Sequence, residues 1–362
     1  MNNKNKKYTS ALKIQTAIPQ PPSVNPNISK RFLLTGSILD VDAYVDGILS
    51  GNRTILGKAI TLIESHLSSH HVTAQKIIER CLPHTGKSIR IGITGVPGSG
   101  KSTFIESFGT FLTAKNKKIA VLAIDPSSQR TKGSILGDKT RMEELANDEK
   151  AFIRPSPSAG SLGGVAQKTR ESMMLCEAAG FDVVIVETVG VGQSETAVHS
   201  MVDFFLLLMI TGAGDELQGI KRGIMEMADA LMINKADGDN LKRAQQAQAE
   251  YRNALQIFPK PENGWTPQVG IMSALEKTGI EEVWNMILDY VAETTKNGYF
   301  HYHRKMQNQA ILTETIKDNL LSEFFHNKTI KEKLQFYEIQ TRTGEINPYT
   351  AAYNLLKEYK QF

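Results

Sequence analysis

The sequence predicts an α/β fold in which a mostly parallel sheet is covered by helices on both faces. Six apolar runs indicate the strands, because a strand that is buried on both faces needs no alternation of polar residues. Helix-length segments separate most of these runs, as expected for parallel strands that are joined by helices. The runs read SIRIGIT, KIAVLAID, FDVVIVET, DFFLLLMI, ADALMINK and QVGIMSA.

The first strand leads into a glycine-rich segment, GVPGSGKS at residues 95–102. It matches the phosphate-binding loop, or P-loop, of nucleotide hydrolases, and a helix is predicted to begin at Lys101. Glycines allow backbone N–H groups to face phosphate oxygens, and the helix N-terminus adds partial positive charge. Lys101 is expected to neutralise the β- and γ-phosphates, and Ser102 to bind Mg²⁺. The predicted nucleotide-binding residues of the loop are Gly95, Pro97, Gly98, Ser99, Gly100, Lys101, Ser102 and Thr103.

A second motif concerns the base of the nucleotide. The stretch NKAD at residues 234–237 ends a predicted strand, and SAL at residues 273–275 follows the next one. A carboxylate at Asp237 can accept both N–H donors on the edge of guanine, a pair that adenine does not supply. The backbone of the SAL segment is predicted to meet the guanine oxygen, so the sequence predicts GTP rather than ATP. The predicted base-binding residues are Asn234, Lys235, Asp237, Ser273, Ala274 and Leu275.

Acidic side chains are predicted around the phosphates. Asp125 and Glu187 end two strands, and Asp138 lies in the loop after the first of them. The carboxyl ends of parallel strands face the nucleotide crevice, where Mg²⁺ takes oxygen ligands. Taken alone, Asp138 also fits an exposed acid on a solvated loop. The predicted metal ligands are Ser102, Asp125, Asp138 and Glu187.

The predicted reaction is in-line attack of water on the γ-phosphate, for which the protein supplies position and positive charge. Lys101, the loop N–H groups and Mg²⁺ are expected to supply that charge. Asp125 is predicted to orient the water, directly or through Mg²⁺, and Gln193 is a second candidate that equally fits a polar loop residue. Gly190 follows Glu187 by three residues, and its N–H can contact the γ-phosphate, so that loss of this phosphate releases the loop.

Composition and periodicity divide the chain into four regions. Residues 1–38 are rich in Asn, Lys, Pro and Ser and are predicted to form a flexible tail. Residues 39–86 are predicted to be two or three helices, with one apolar face that runs from Leu56 to Leu67. Residues 87–297 form the predicted P-loop domain. Residues 298–362 are predicted to be a helical arm.

Several classes of protein are disfavoured by composition. The net charge is only +4, and the basic residues are not concentrated in one stripe, so no nucleic-acid partner is expected. The most apolar run has seven residues, at 204–210, which is too short to span a membrane. Cys81 and Cys176 are far apart, so a thiolate metal site is not expected, and two lone thiols fit a reducing, cytoplasmic location.

Six motifs together resemble one family. They are VPGSGKST, DPSSQRTKGSILGDKTRM, RPSPSAGSLGGVAQKTRE, ETVGVGQSE, GAGDELQGIK and NKAD. They resemble the MeaB group of G proteins, which chaperone adenosylcobalamin-dependent acyl-CoA mutases, and the resemblance runs from about Tyr44 to Leu356. It implies a homodimeric GTPase, often joined through C-terminal helices, that binds the mutase, gates delivery of its cobalamin and helps to eject damaged cofactor. Methylmalonyl-CoA mutase is the expected client.

The resemblance also assigns roles to residues. Lys101 and Ser102 match the P-loop, Asp237 matches the guanine reader, and the three acids above match those around Mg²⁺. The motif GAGDELQGIK matches a third switch that reports to the mutase and whose lysine aids partner-stimulated hydrolysis. Lys132 and Thr211 depart from the Gly and the Pro that are usual in the family. The third-switch residues are Asp215, Glu216, Gln218 and Lys221.

Two other functions remain open at this point. A nickel-insertion GTPase would need Cys or His ligands near the nucleotide, and the sequence offers no good cluster of them. A transport-associated ATPase or a kinase would leave the NKAD motif at residues 234–237 without a purpose.

Overall fold

The computed structural model describes residues 39–65, 67–125, 142–157, 162–188, 194–212, 222–259 and 261–360. Within these ranges lie thirteen α-helices and a seven-stranded sheet. The tail predicted at residues 1–38 falls outside them. The helices are Val41–Leu49 (α1), Arg53–Glu64 (α2), Ser68–Cys81 (α3), Lys101–Ala114 (α4), Glu143–Asn147 (α5), Leu162–Ala178 (α6), Ser194–His199 (α7), Arg222–Met227 (α8), Leu241–Leu255 (α9), Ile280–Lys296 (α10), Tyr299–His326 (α11), Lys328–Thr343 (α12) and Pro348–Tyr359 (α13).

All seven strands are parallel and run in the order β3-β2-β4-β1-β5-β6-β7. The chain builds one side of the sheet through β2, β3 and β4, then crosses β1 and builds the other side. The end of β1 is therefore the point at which the strand order reverses, where such sheets bind ligands. The strands are Ile89–Gly95 (β1), Ile119–Asp125 (β2), Ala151–Pro157 (β3), Val183–Thr188 (β4), Phe204–Ile210 (β5), Ala230–Asn234 (β6) and Gln268–Ile271 (β7).

Helices cover both faces, as the sequence predicts. Side chains alternate between the faces of a strand, and the buried residues of β5 divide accordingly. Leu206 and Leu208 pack with Phe104 and Phe108 of α4, whereas Leu207 joins a separate cluster on α8 and α9. The rings of Phe104 and Phe108 are stacked with their centroids 5.2 Å apart. The fold class is thus confirmed.

Six of the strands match the predicted runs, and β3 is the one that the sequence analysis missed. It contains Pro155 and Pro157, and proline cannot donate a hydrogen bond to a neighbouring strand. The strand order explains how it is tolerated, since β3 is the edge strand and pairs only with β2. An edge strand needs hydrogen bonds on one side alone.

The N-terminal segment forms three helices, α1 to α3. Asn52 caps α2 by accepting hydrogen bonds from the backbone N–H groups of Thr54 and Ile55. Leu56 is fully buried, as predicted. The prediction that Leu67 shares this apolar face is wrong, because α2 ends at Glu64. Leu67 instead lies at the start of α3, where it is 59% exposed.

The C-terminal region forms α11, α12 and α13. Arg304 and Gln307 anchor α11 to the segments that directly precede β1 and β5. Arg304 Nε donates to Asp203 Oδ1 at 2.8 Å, and its Nη1 donates to the carbonyl of Gly86 at 2.5 Å. Gln307 Nε2 donates to the carbonyl of Val202 at 2.8 Å. In the described ranges, no helix combines the length and the apolar character that are needed to cross a bilayer.

Replacing Arg304 with alanine is expected to lower the free energy of unfolding by about 3–5 kcal/mol, because the buried Asp203 carboxylate would lose its ion-pair partner and, among the described residues, keep only the backbone N–H of Arg90 as a donor. The Asp203 side chain is only 1% exposed. Chemical denaturation at fixed protein concentration, followed by fluorescence of the buried Trp265 and Trp284, measures the change. The exposed neighbour Lys305 is the matched control, and its alanine variant is expected to stay within about 0.5 kcal/mol of the original protein. Equal stability of the two variants would contradict the anchoring role.

Candidate nucleotide site

Four predicted site positions lie at one edge of the sheet. Gly95, Asp125 and Asn234 end β1, β2 and β6, and Glu187 is the penultimate residue of β4. The register pairs Ile93 of β1 with Glu187. Because all of these strands are parallel, their carboxyl ends meet at the edge where the P-loop begins.

Two glycines of the loop are required by close approach to other backbone and side-chain atoms. A Cβ atom on Gly95 would lie 2.2 Å from the carbonyl oxygen of Leu208, at the neighbouring strand β5. Gly100 has a φ of +85°, and a Cβ there would lie 2.6 Å from Nδ2 of Asn234. Any larger residue would displace the loop from β5 and from the NKAD segment.

Lys101 is the first residue of α4, and its side chain folds back over the loop. Its Nζ donates to the carbonyl of Gly95 at 2.9 Å and to that of Val96 at 3.3 Å. Lys101 is only 9% exposed. Burial lowers the pKa of its ammonium group, and the carboxylates of Glu187 and Glu195 oppose that shift. The arrangement holds a desolvated positive charge across the mouth of the loop, where phosphate oxygens would be its partners.

Ser99 offers an independent indication of a polar ligand. It is fully buried within the loop, and its Oγ has no hydrogen-bond partner among the described residues. Buried hydroxyl groups are nearly always hydrogen-bonded in folded proteins. A ligand or a water in the loop would satisfy it, so the loop fits a phosphate group.

Two of the four predicted magnesium ligands approach each other. Ser102 Oγ donates to Glu187 Oε1 at 3.2 Å, and a hydroxyl beside a carboxylate suits a hard cation. Asp125 ends β2 as predicted, but its side chain lies outside the described part, as does the whole of Asp138. The described residues contain no group of three or more His, Cys, Asp or Glu that could hold a metal, so the complete ligand set stays a prediction.

Asn234 joins the three segments of the site. Its Nδ2 donates to the carbonyl of Ser99 in the P-loop at 2.8 Å. Its Oδ1 accepts from the backbone N–H groups of Lys235 at 2.8 Å and Ala274 at 2.9 Å. Asn234 is 2% exposed. A single buried amide therefore fixes the P-loop, the NKAD segment and the SAL segment relative to one another.

Asp237 is oriented by the SAL segment. Ser273 Oγ donates to Asp237 Oδ2 at 2.5 Å and accepts from the backbone N–H of Glu276 at 3.1 Å. Ser273 is fully buried, whereas Leu275 is 78% exposed and the side chain of Lys235 is also exposed. The carboxylate is thus held by a buried hydroxyl, and the exposed Leu275 follows that serine by two residues.

Some predicted residues cannot be placed. Gly190 and Gln193, and the third-switch residues Asp215, Glu216, Gln218 and Lys221, lie outside the described residues. The structure also brings in one acid to which the sequence analysis gave no role. Glu195, the second residue of α7, is 1% exposed and lies near enough to Lys101 to affect its pKa. Its place inside the motif ETVGVGQSE was the only available signal.

The fold and this loop define a P-loop nucleotide hydrolase. The sequence profile of the family described as methylmalonyl Co-A mutase-associated GTPase MeaB matches residues 56–329. That range is well over half of the chain. The chain belongs to this family and is a GTPase, which confirms the resemblance found in its motifs.

Individual relatives agree with the family. The GTPase ArgK of Escherichia coli is 47% identical over 300 residues, which cover 83% of this chain and 91% of that protein. The mitochondrial methylmalonic aciduria type A homolog of Mus musculus is 43% identical and covers 88% of this chain and 80% of its own. A solved structure titled LAO/AO transport system kinase has a TM-score of 0.72 and 38% identity, covering 90% of this chain and 100% of its own.

Proposed function

We propose that this GTPase binds an adenosylcobalamin-dependent acyl-CoA mutase, with methylmalonyl-CoA mutase as the first candidate. In this role it gates delivery of adenosylcobalamin and protects or reactivates the mutase. The observation that carries the proposal is the match to a mutase-associated GTPase family over residues 56–329. The mouse relative, whose name refers to methylmalonic aciduria, supports the same client.

The proposed chemistry assigns the site residues as follows. Asp237 reads guanine, with Asn234, Lys235 and the SAL segment around it, while the P-loop and Lys101 hold the phosphates. Ser102, Glu187, Asp125 and Asp138 would hold Mg²⁺, which when bound neutralises charge on the phosphates. Asp125 orients the attacking water, and Gln193 is the alternative. The 3.2 Å contact between Ser102 and Glu187 is the geometric support for the metal site.

We propose further that the protein is a homodimer joined through the arm at residues 298–362. Large apolar side chains remain exposed along α11 to α13 in the single chain, which is unusual for a surface that meets only water. Leu312 is 62% exposed, Ile339 is 61% and Tyr353 is 68%. A second copy of the same arm could cover these residues. The others are Tyr302, Met306, Ile316, Leu320, Leu321, Phe325, Phe336, Tyr349 and Leu356.

Turnover of GTP is expected to rise roughly tenfold or more when methylmalonyl-CoA mutase from the same organism is added, since a docked partner can complete a GTPase site. Lys221 is the proposed stimulating residue. Lys221→Ala should therefore keep its basal turnover and lose the stimulation. Lys242→Ala, which removes an exposed lysine on α9, should retain both.

The outcomes separate the alternatives. Equal stimulation of Lys221→Ala and the original protein would refute the role of Lys221. GTP-selective turnover without any response would direct the search to other cobalamin-dependent mutases, such as isobutyryl-CoA mutase. Preference for ATP would favour a transport-associated ATPase or kinase, the label that the solved relative carries.

A further inference from the structure

We propose that Asn240 and Thr211 are positioning residues for guanine recognition and that they tie the NKAD turn to the end of β5. The proposal rests on the role of Asp237 as the guanine reader. Neither residue is predicted to touch the nucleotide, and neither belongs to the motifs that indicate a GTPase. They act through hydrogen bonds to the turn that carries Asp237.

Asn240 closes that turn twice. Its backbone N–H donates to the carbonyl of Asp237 at 3.0 Å, and its side-chain Nδ2 donates to the carbonyl of Lys235 at 2.6 Å. The two acceptors lie on either side of Ala236. Asn240 therefore clamps the short segment from Lys235 to Asp237, which is the part of the chain that must hold the reading carboxylate in place.

The clamp acts on a residue with an unusual backbone. Lys235 has a φ of +60°, a left-handed conformation that residues other than glycine seldom adopt. Its N–H donates to Asn234 Oδ1 at 2.8 Å, while its carbonyl accepts from Asn240. Such conformations persist where surrounding contacts over-determine them. Two asparagine side chains provide those contacts, one at the N–H of Lys235 and the other at its carbonyl.

Thr211 completes the arrangement from the neighbouring strand. Its Oγ1 donates to Asn240 Oδ1 at 2.7 Å. The carbonyl of Lys235 can only accept, so the amide nitrogen of Asn240 faces it, and the hydroxyl of Thr211 donates to the amide oxygen that remains. Thr211 directly follows β5, and Ile210 of β5 is paired with Asn234 of β6. The link joins the end of β5 to the turn that follows β6 through side chains.

The expected consequence is specificity for the 2-amino group of guanine. Asp237 can read this group only if its carboxylate lies within hydrogen-bonding distance, and a small displacement of the turn lengthens that contact. Loosening the clamp should therefore weaken the binding of guanine nucleotides more than that of inosine nucleotides, which lack the 2-amino group. A general loss of phosphate binding would weaken both equally.

Calorimetric titration with GDP and with IDP tests the inference on the full chain. Asn240→Ala is expected to weaken the binding of GDP roughly tenfold, which is the scale of one lost hydrogen bond to a charged group. The binding of IDP should weaken much less. Thr211→Val keeps the shape of threonine and should lower the GDP-to-IDP affinity ratio about threefold. Thr211→Ser restores the hydroxyl and should restore the ratio.

Two controls keep the result interpretable. Asp239→Ala changes an exposed side chain of the same turn and should leave both affinities unchanged. Asp237→Ala should abolish the preference for GDP, and if it does not, the guanine-reading assignment itself fails. If Asp237→Ala abolishes the preference while Asn240→Ala and Thr211→Val keep the original ratio, the proposed positioning role is overturned.

Discussion

Replacing Asp237 with asparagine is expected to convert the nucleotide preference of this GTPase from GTP to XTP. In the proposed site the carboxylate accepts hydrogen bonds from the N1–H and 2-amino groups of guanine, whereas xanthine carries a carbonyl at position 2. An asparagine amide can donate to that carbonyl and still accept from N1–H. A site that is built around a polar group rejects an analogue that lacks it by large factors, so kcat/KM for GTP should fall roughly 100-fold or more.

The structure makes this exchange conservative in shape. Ser273 Oγ donates to Asp237 Oδ2 at 2.5 Å, and the oxygen of an asparagine amide can accept the same bond. Steady-state turnover of GTP, XTP and ATP measures the switch. Asp239→Asn, at an exposed position two residues later, is the matched control and should retain GTP selectivity. Undiminished preference of Asp237→Asn for GTP would show that another residue reads the base.

The second large effect is expected at Lys101. Lys101→Ala should lower kcat for GTP by roughly 10²–10³-fold, the loss that follows removal of one preorganised group from a developing charge. The ammonium is positioned for this task, since it is buried and already directed at the loop carbonyls of Gly95 and Val96. Burial lowers the pKa of this ammonium group, and a bound phosphate, being negatively charged, would favour its charged form.

Lys115→Ala is the matched control for this variant. Lys115 stands at the other end of the same helix, where it forms an exposed ion pair with Glu281 at 2.7 Å. Exposed pairs contribute at most about 1 kcal/mol, so turnover should be unchanged. Single-turnover hydrolysis at saturating GTP separates catalysis from binding. A rate for Lys101→Ala within tenfold of the original would contradict the assignment, provided that its thermal midpoint is unchanged.

Much of the sheet and its ligand-binding edge could be predicted from contiguous residues. Buried parallel strands appear as uninterrupted apolar runs, so six of the seven strands were predicted. Asn347, directly before Pro348, caps α13 by accepting from the backbone N–H of Tyr349, and an asparagine before a proline is typical of the start of a helix. β3 was missed because its two prolines are typical of loops, and only its place at the edge of the sheet makes them acceptable.

The candidate site divides in the same way. The P-loop and NKAD are local patterns, since a phosphate needs successive backbone N–H groups and a base needs a few side chains at a strand end. Their mutual placement depends on contacts between residues far apart in the sequence. Asn234 bonds Ser99 across 135 positions, and Thr211 bonds Asn240 across 29.

Sequence was therefore sufficient for the nucleotide class, for the placement of the loops at strand ends and for the family. The supports of the site were not predictable from it, including the clamp by Asn240, the burial of Glu195 and the anchoring of α11 by Arg304. Each of these contacts exists because folding buries a polar group, which then needs a partner within the protein. Which groups are buried together is decided only when the whole chain has folded. The residues next to an asparagine or a glutamate in a polar stretch do not indicate which group it will contact in the folded protein.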